Sequence, residues 1–230
     1  MTSLKRQKEI VILGSAGNGL LIADSISRNS DYLFLGFLDD DSSKQTNGYE
    51  NYPVLGCLSD WKSLSPECFF ITSLHGAKKQ LSFFRLINSL GIPNSRWQTI
   101  IDPNTVISNT VKIGYGTFIG PGCILQAKTN IGNHCALLGN MYIGHHCHLG
   151  DYIACANSVS VGGNVSIADT VFIGANATIR EYIKVGSSAI VGMGSAVVKN
   201  VPSYCVVTGV PAKIVGKAVN QAKVSEKNAK

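Results

Sequence analysis

The side chains best suited to chemistry fall in one run, Gly144-His145-His146-Cys147-His148. Three imidazoles and a thiol in four residues raise two possibilities. One is a zinc site, which needs thiolates and imidazoles converging at tetrahedral distances. The other is acid–base work by an imidazole that titrates near neutrality. The zinc reading fails on direction: neighbouring residues of a strand point to opposite faces, so four consecutive side chains do not converge. No metal is expected. What remains is a general base, and which histidine it is depends on which residues face out.

The surrounding repeat decides that. Stepping through residues 101–197 in sixes meets an aliphatic residue almost every time, from Ile101, Ile107 and Ile113 to Val197, with Cys155 the one small exception. A second series lies four residues after each of these, from Val111, Thr117 and Cys123 to Ser195, and is mostly small or β-branched. A strict six-residue period is the signature of a parallel β-helix. Both series point inward. Cys147 belongs to the second and is expected as a buried thiol, whereas His145 and His146 belong to neither. With three strands per coil, residues eighteen apart stack. Gly163 then lies above His145 and Ala127 below it, clearing a groove beside the imidazole. His134 is expected to be an ordinary surface histidine.

The first hundred residues read differently. Glu9–Leu13 is a short apolar run, followed by Gly14-Ser15-Ala16-Gly17-Asn18-Gly19 and then by helical spacing through Ser27. Strand, glycine turn and helix N-terminus together form an anion-binding arrangement. A second strand, Tyr32 to Leu38, ends in Asp39-Asp40-Asp41, where a nucleotide-binding α/β fold meets ribose or sugar hydroxyls. The same features also suit a packing turn and a solvated acidic loop. A short helix with an acidic cap at Asp60–Leu64, a third strand at Cys68–Thr72 and a helix over Ala77–Leu90 complete a small parallel, Rossmann-like sheet. It has too few elements for a whole dinucleotide domain and suits a mononucleotide or nucleotide sugar. The expected division is 1–100 for this domain, 101–216 for the β-helix with its cap, and 217–230 for a disordered tail.

Composition narrows the classes. The formal charge is +6, but much of it lies at the two ends, so no nucleic-acid footprint is expected. The seven cysteines contain no CxxC pair and suit a reducing compartment. No apolar run approaches ~18 residues and the first ten lack a signal-peptide core. A soluble cytoplasmic protein without membrane insertion is expected.

With these motifs in place the sequence resembles the left-handed β-helix, hexapeptide-repeat acetyltransferases. It is most similar to those with an N-terminal α/β domain: nucleotide-amino-sugar N-acetyltransferases and the NeuD-type sialic acid O-acetyltransferases. Ile12–Gly19, Phe37-Leu38-Asp39-Asp40, Ile143–Asp151 and the closing Gly209-Val210-Pro211-Ala212-Lys213 carry the likeness. It implies an α/β domain followed by an all-β left-handed β-helix, packed as a homotrimer with acetyl-CoA between neighbouring solenoids. It implies a nucleotide-linked amino sugar at Ala16, Gly17, Asn18, Asp39 and Asp40, with Ser73 from the third-strand turn. His145 would be the general base, and His146 stands beside it where the family places Glu or Asp. Gly163, Ala175 and Met193 match positions that touch the coenzyme. Two further departures are Ala154, where the family has a histidine, and Thr72-Ser73-Leu74-His75-Gly76 in place of a glycine turn. The implied activity is acetyl transfer to an amino group in surface-polysaccharide or glycan biosynthesis. O-acetylation of a sugar, transfer of another acyl group and a non-catalytic sugar-nucleotide-binding solenoid stay open.

Overall fold

The computed structural model describes residues 6–77 and 80–218. Strand β1 (Lys8–Leu13) is the centre of a three-stranded parallel sheet, between β2 (Tyr32–Leu38) and β3 (Phe69–Thr72). A central strand covered on both faces must be apolar throughout, and Ile10, Val11, Ile12 and Leu13 are all fully buried. Helix α1 (Asn18–Ser27) covers one face and α3 (Gln80–Leu90) the other, while a short α2 (Ser42–Asn47) follows β2. The expected Asp60 helix is a 3-10 turn over Leu58–Ser63. Asp60 is its third residue and reaches back to the Cys57 N–H at 2.8 Å.

From β4 (Ile100–Ile101) to β20 (Ala196–Val197) a two-residue strand recurs every six residues, forming three parallel sheets around a triangular core. Both inward series are buried from Ile119 to Val197, and each partner lies eighteen residues away, as in Leu137 with Cys155. All seven cysteines are free. Burial raises the Cys147 thiol, and its Sγ lies 3.1 Å from the Gly162 carbonyl, so it is no nucleophile.

A third periodicity lies in the backbone. Residues 116, 122, 128 and onward in sixes to 194 all have φ between 52° and 71°. At these corners the chain turns from one sheet to the next, and from residue 122 onward the N–H still bonds the coil below, as in His146 N–H to Ala127 carbonyl at 3.0 Å. The far end is closed by β21 (Cys205–Thr208), parallel to the last strand of its sheet, and by β22 (Lys213–Lys217), antiparallel to β21. Most of the expected tail, from 219 onward, lies outside the described residues.

The two parts share their cores. Ile100 and Phe118 complete the cluster under α1. Asp102, 1% exposed, accepts from Ser25 Oγ at 2.8 Å and from Arg28, tying α1 to the first coil. On the other side, His134 corrects the expectation of a surface histidine. It is 2% exposed, stacked on Tyr152 at 5.1 Å and edge-on to Trp97 and Tyr115. The sequence hides this because Trp97, which closes against its ring, comes from the other part of the chain. Gln80 Nε2, on α3, donates to the Tyr152 carbonyl at 2.7 Å.

Candidate active site

Two sites emerge, one at the sheet and one on the solenoid. The carboxyl ends of β1, β2 and β3 open into a cleft of about 610 Å³ lined by Gly14, Ala16, Asp39, Lys44, Ser73, Leu74, His75, Ser82, Phe83 and Leu86. This is where ligands of open α/β sheets lie. Gly14 must be glycine: its φ is +89°, and a Cβ there would stand 2.4 Å from Leu74 Cδ2. The Ser73 hydroxyl donates to the Gly14 carbonyl at 2.6 Å, locking the turn after β1 to the end of β3.

Asp39 is held by the same turn. Its carboxylate accepts the Ser15 N–H at 2.9 Å and the Ser15 hydroxyl at 2.5 Å, with Lys44 Nζ at 3.3 Å. Burial alone would raise its pKa; the Ser15 and Asp41 hydrogen bonds and Lys44 more than offset this and bring it to about 2. It is therefore a fixed anion. Asp40 goes elsewhere, accepting the Leu58 N–H at 2.9 Å, and is not part of the cleft wall. Gly17 and Asn18 also lie outside that wall, at the start of α1, whose N-terminus carries no side-chain cap. Ala16, Asp39 and Ser73 are brought together.

Lys44, His75 and Ser82 are cleft residues that sequence reasoning missed. Both ring nitrogens of His75 are buried without a partner, and its ring lies edge-on to Phe83 at 4.5 Å. Burial, with nearby His134, pushes its pKa down to about 3, so the cleft is offered a neutral imidazole.

On the solenoid, His145 occupies the corner between β11 (Tyr142–Ile143) and β12 (His148–Leu149) and is exposed. Gly163 lies one coil above, as expected. A Cβ there would stand 2.9 Å from both Cε1 and Nε2 of His145, so the imidazole rests against the glycine backbone. His145 Nδ1 is 3.0 Å from His146 Nδ1, with the rings nearly perpendicular at 88°. His148 points away from this pair, on the strand face, and no group of three potential metal ligands occurs among the described residues.

Ala175 and Met193 are not beside His145. They sit at the corner entering β17 (Thr178–Ile179) and β20 of the His145-flanking sheet, whereas His145 and Gly163 sit at the corner leaving that same sheet. The two sets therefore mark opposite edges of one face. Val106, Ile124 and Tyr142 stand exposed on that face, and Met193 is 78% exposed. This apolar column was not anticipated from the sequence.

Comparison with known proteins matches the two-part fold. Residues 9–74 match the PglD N-terminal domain, and residues 96–202 match the GMPPB C-terminal domain. A UDP-N-acetylbacillosamine N-acetyltransferase of Bacillus subtilis (strain 168) is 29% identical over 115 residues, which is 49% of this chain and 51% of that enzyme. The match therefore spans about half the length of that curated relative. The acetyltransferase domain of PglB from Neisseria gonorrhoeae FA1090, solved with acetyl coenzyme A, superposes with a TM-score of 0.81 at 24% identity, covering 91% of this chain and 100% of that one. A mutant perosamine N-acetyltransferase from Caulobacter crescentus, solved with CoA and GDP-perosamine, gives 0.80 at 23% identity, covering 91% and 97%. By architecture, then, the chain joins a PglD-type N-terminal domain to a parallel β-helix, the same two-part fold as those acetyltransferase structures.

Proposed function

We propose that this chain transfers the acetyl group of acetyl-CoA to the amine of a nucleotide-linked amino sugar. The observation that carries the reading is His145, an exposed imidazole seated on Gly163 with one nitrogen engaged by His146 and the other left for a substrate. In the reaction the acceptor nitrogen attacks the thioester carbonyl and the carbon–sulfur bond breaks. The proton lost by the amine goes to His145 Nε2 and then to the departing sulfur. The Gly163 N–H is assigned to the developing oxyanion. No covalent acyl-enzyme is required, because holding both substrates together supplies most of the advantage.

The cleft supports a nucleotide sugar as the acceptor carrier. Lys44 in the cleft, with the uncapped start of α1 next along the chain from Ala16, suits a diphosphate, and Asp39 and Ser73 offer acceptor oxygens to sugar or base. We assign a homotrimer as the working state. If the His145 edge of one copy faces the Ala175–Met193 edge of the next, both sets line one groove for the coenzyme, and Val106, Ile124 and Tyr142 are covered. No described helix is long and apolar enough to cross a membrane; we place the reaction in the cytoplasm, where acetyl-CoA and nucleotide sugars are made.

The test is thiol release from acetyl-CoA with a panel of UDP-, GDP- and dTDP-linked 4-amino sugars, and free sialic acid as the hydroxyl control. Turnover with an amino sugar is expected, and His145→Ala should lower kcat by on the order of 10²-fold or more. Turnover on sialic acid alone would move the reading to O-acetylation. No turnover together with no acetyl-CoA binding would remove the enzymatic reading.

A further inference from the structure

From the His145–His146 contact we infer that His146 is a positioning residue: its Nδ1 is the neutral acceptor that holds the Nδ1 proton of His145 and so keeps His145 Nε2 free as the base. This rests on the proposed transferase reaction and deepens it.

Two Nδ1 atoms 3.0 Å apart can bond only with one proton between them. If His146 supplied it, His145 would carry its own proton on Nε2, and that nitrogen could accept nothing. If His145 supplies it, His145 Nε2 has a free lone pair and His146 carries its proton on Nε2. Only the second arrangement is a base. The tautomer of a working histidine is set by the bond its other nitrogen makes, and here that bond goes to another imidazole rather than to a carboxylate. When His145 takes the proton of the attacking amine, both its nitrogens are protonated, and His146 still accepts from Nδ1. The proton then passes from Nε2 to the leaving sulfur, so nothing is gained or lost by the pair over a cycle.

The backbone makes this orientation a built feature. His146 has φ +57° and its N–H bonds the Ala127 carbonyl at 3.0 Å; the corner residue one coil above, Asn164, donates to the His145 carbonyl at 2.9 Å. Both peptides of the pair are thereby pinned to neighbouring coils. Gly163 confines the His145 ring from above.

The left-handed corner provides a clean control. Gly116, Gly122 and Gly194 occupy the equivalent slot elsewhere in the same solenoid, so His146→Gly should fold at least as well as the parent. If His146 mattered only for the turn, that variant would keep full activity. The expected result is a fall in kcat of about 10-fold or more with both KM values held. His146→Glu, which restores an acceptor but suits the corner less well, should recover most of the loss. His146→Lys, which can only donate, should be as poor as glycine. Full activity in the glycine variant, or no recovery with glutamate, overturns the inference. A readout independent of turnover is the pair of imidazole tautomers in the full-length protein, by long-range proton–nitrogen NMR. Nδ1–H on His145 with Nε2–H on His146 is expected, and the reverse pair overturns the inference. Absence of turnover in the parent with the expected tautomers would instead count against the transferase reading alone.

Discussion

At the scale of single residues, Gly163 is the most exposed to test. Its φ is not in the left-handed region, so alanine is conformationally allowed there; what forbids it is the imidazole 2.9 Å from the added carbon. Gly163→Ala should therefore leave thermal unfolding nearly unchanged and push His145 aside. A displacement of about 1 Å in a reacting group can cost on the order of 10²-fold in rate, and that is the loss expected in the thiol-release assay. A variant with parental kcat would mean that the ring can move without consequence. The position was legible in the sequence because eighteen-residue stacking is arithmetic. The cleft was less so. Ala16, Asp39 and Ser73 could be anticipated from the ends of the strands, but Lys44, His75 and Ser82 come from α2, the turn after β3 and α3, which no periodicity links. Two adjacent acids look alike in the sequence, and only the fold sends Asp39 to Ser15 and Asp40 to Leu58.

At the scale of elements, the corners of the solenoid are as regular as its core, yet only the core announces itself. Inward positions must be apolar, so their side chains report the period. The left-handed corner constrains backbone alone, and His134, Asn140, Tyr152, Ser158 and Thr170 share it with no common chemistry. L-residues lose about 1–2 kcal/mol in this conformation. Tyr182 bears that cost at φ +63° while 72% exposed. Tyr182→Gly relieves the strain at some expense in unfolded-chain entropy, so a net gain of roughly 0.5–1 kcal/mol is expected. A shift of the urea midpoint to higher concentration at unchanged slope checks this. A lower midpoint would mean that the Tyr182 ring contributes packing that outweighs the strain.

At the scale of the whole molecule, the junction between the two parts should be the acid-sensitive region. Burial pushes His134 down to about 4 from an ordinary 6.5, with Asp151 partly opposing. Between those values the unfolded chain binds a proton that the native chain does not, so stability is full above about 6.5 and declines as the pH falls toward 4. His75 acts in the same direction, over a window reaching down to about 3. His134→Phe keeps an aromatic ring in the cage formed with Trp97, Tyr115 and Tyr152. The chain already tolerates aromatic rings at this corner, as Tyr152 itself does. The melting temperature of this variant should depend less steeply on pH between 6.5 and 4; an unchanged slope would locate the sensitivity elsewhere. The same junction bears on how an acceptor is chosen. The N-terminal sheet is fastened at Asp102 through α1 and again at Tyr152 through α3, on two sides of the solenoid. Together with the apolar clusters that the two parts share, these fastenings oppose rotation of the sheet against the solenoid, so the separation of cleft and His145 is set by the fold. In the proposed reaction a nucleotide sugar would then be measured by its own length, and a molecule whose amine falls short of the imidazole would gain little from closure of the protein around it.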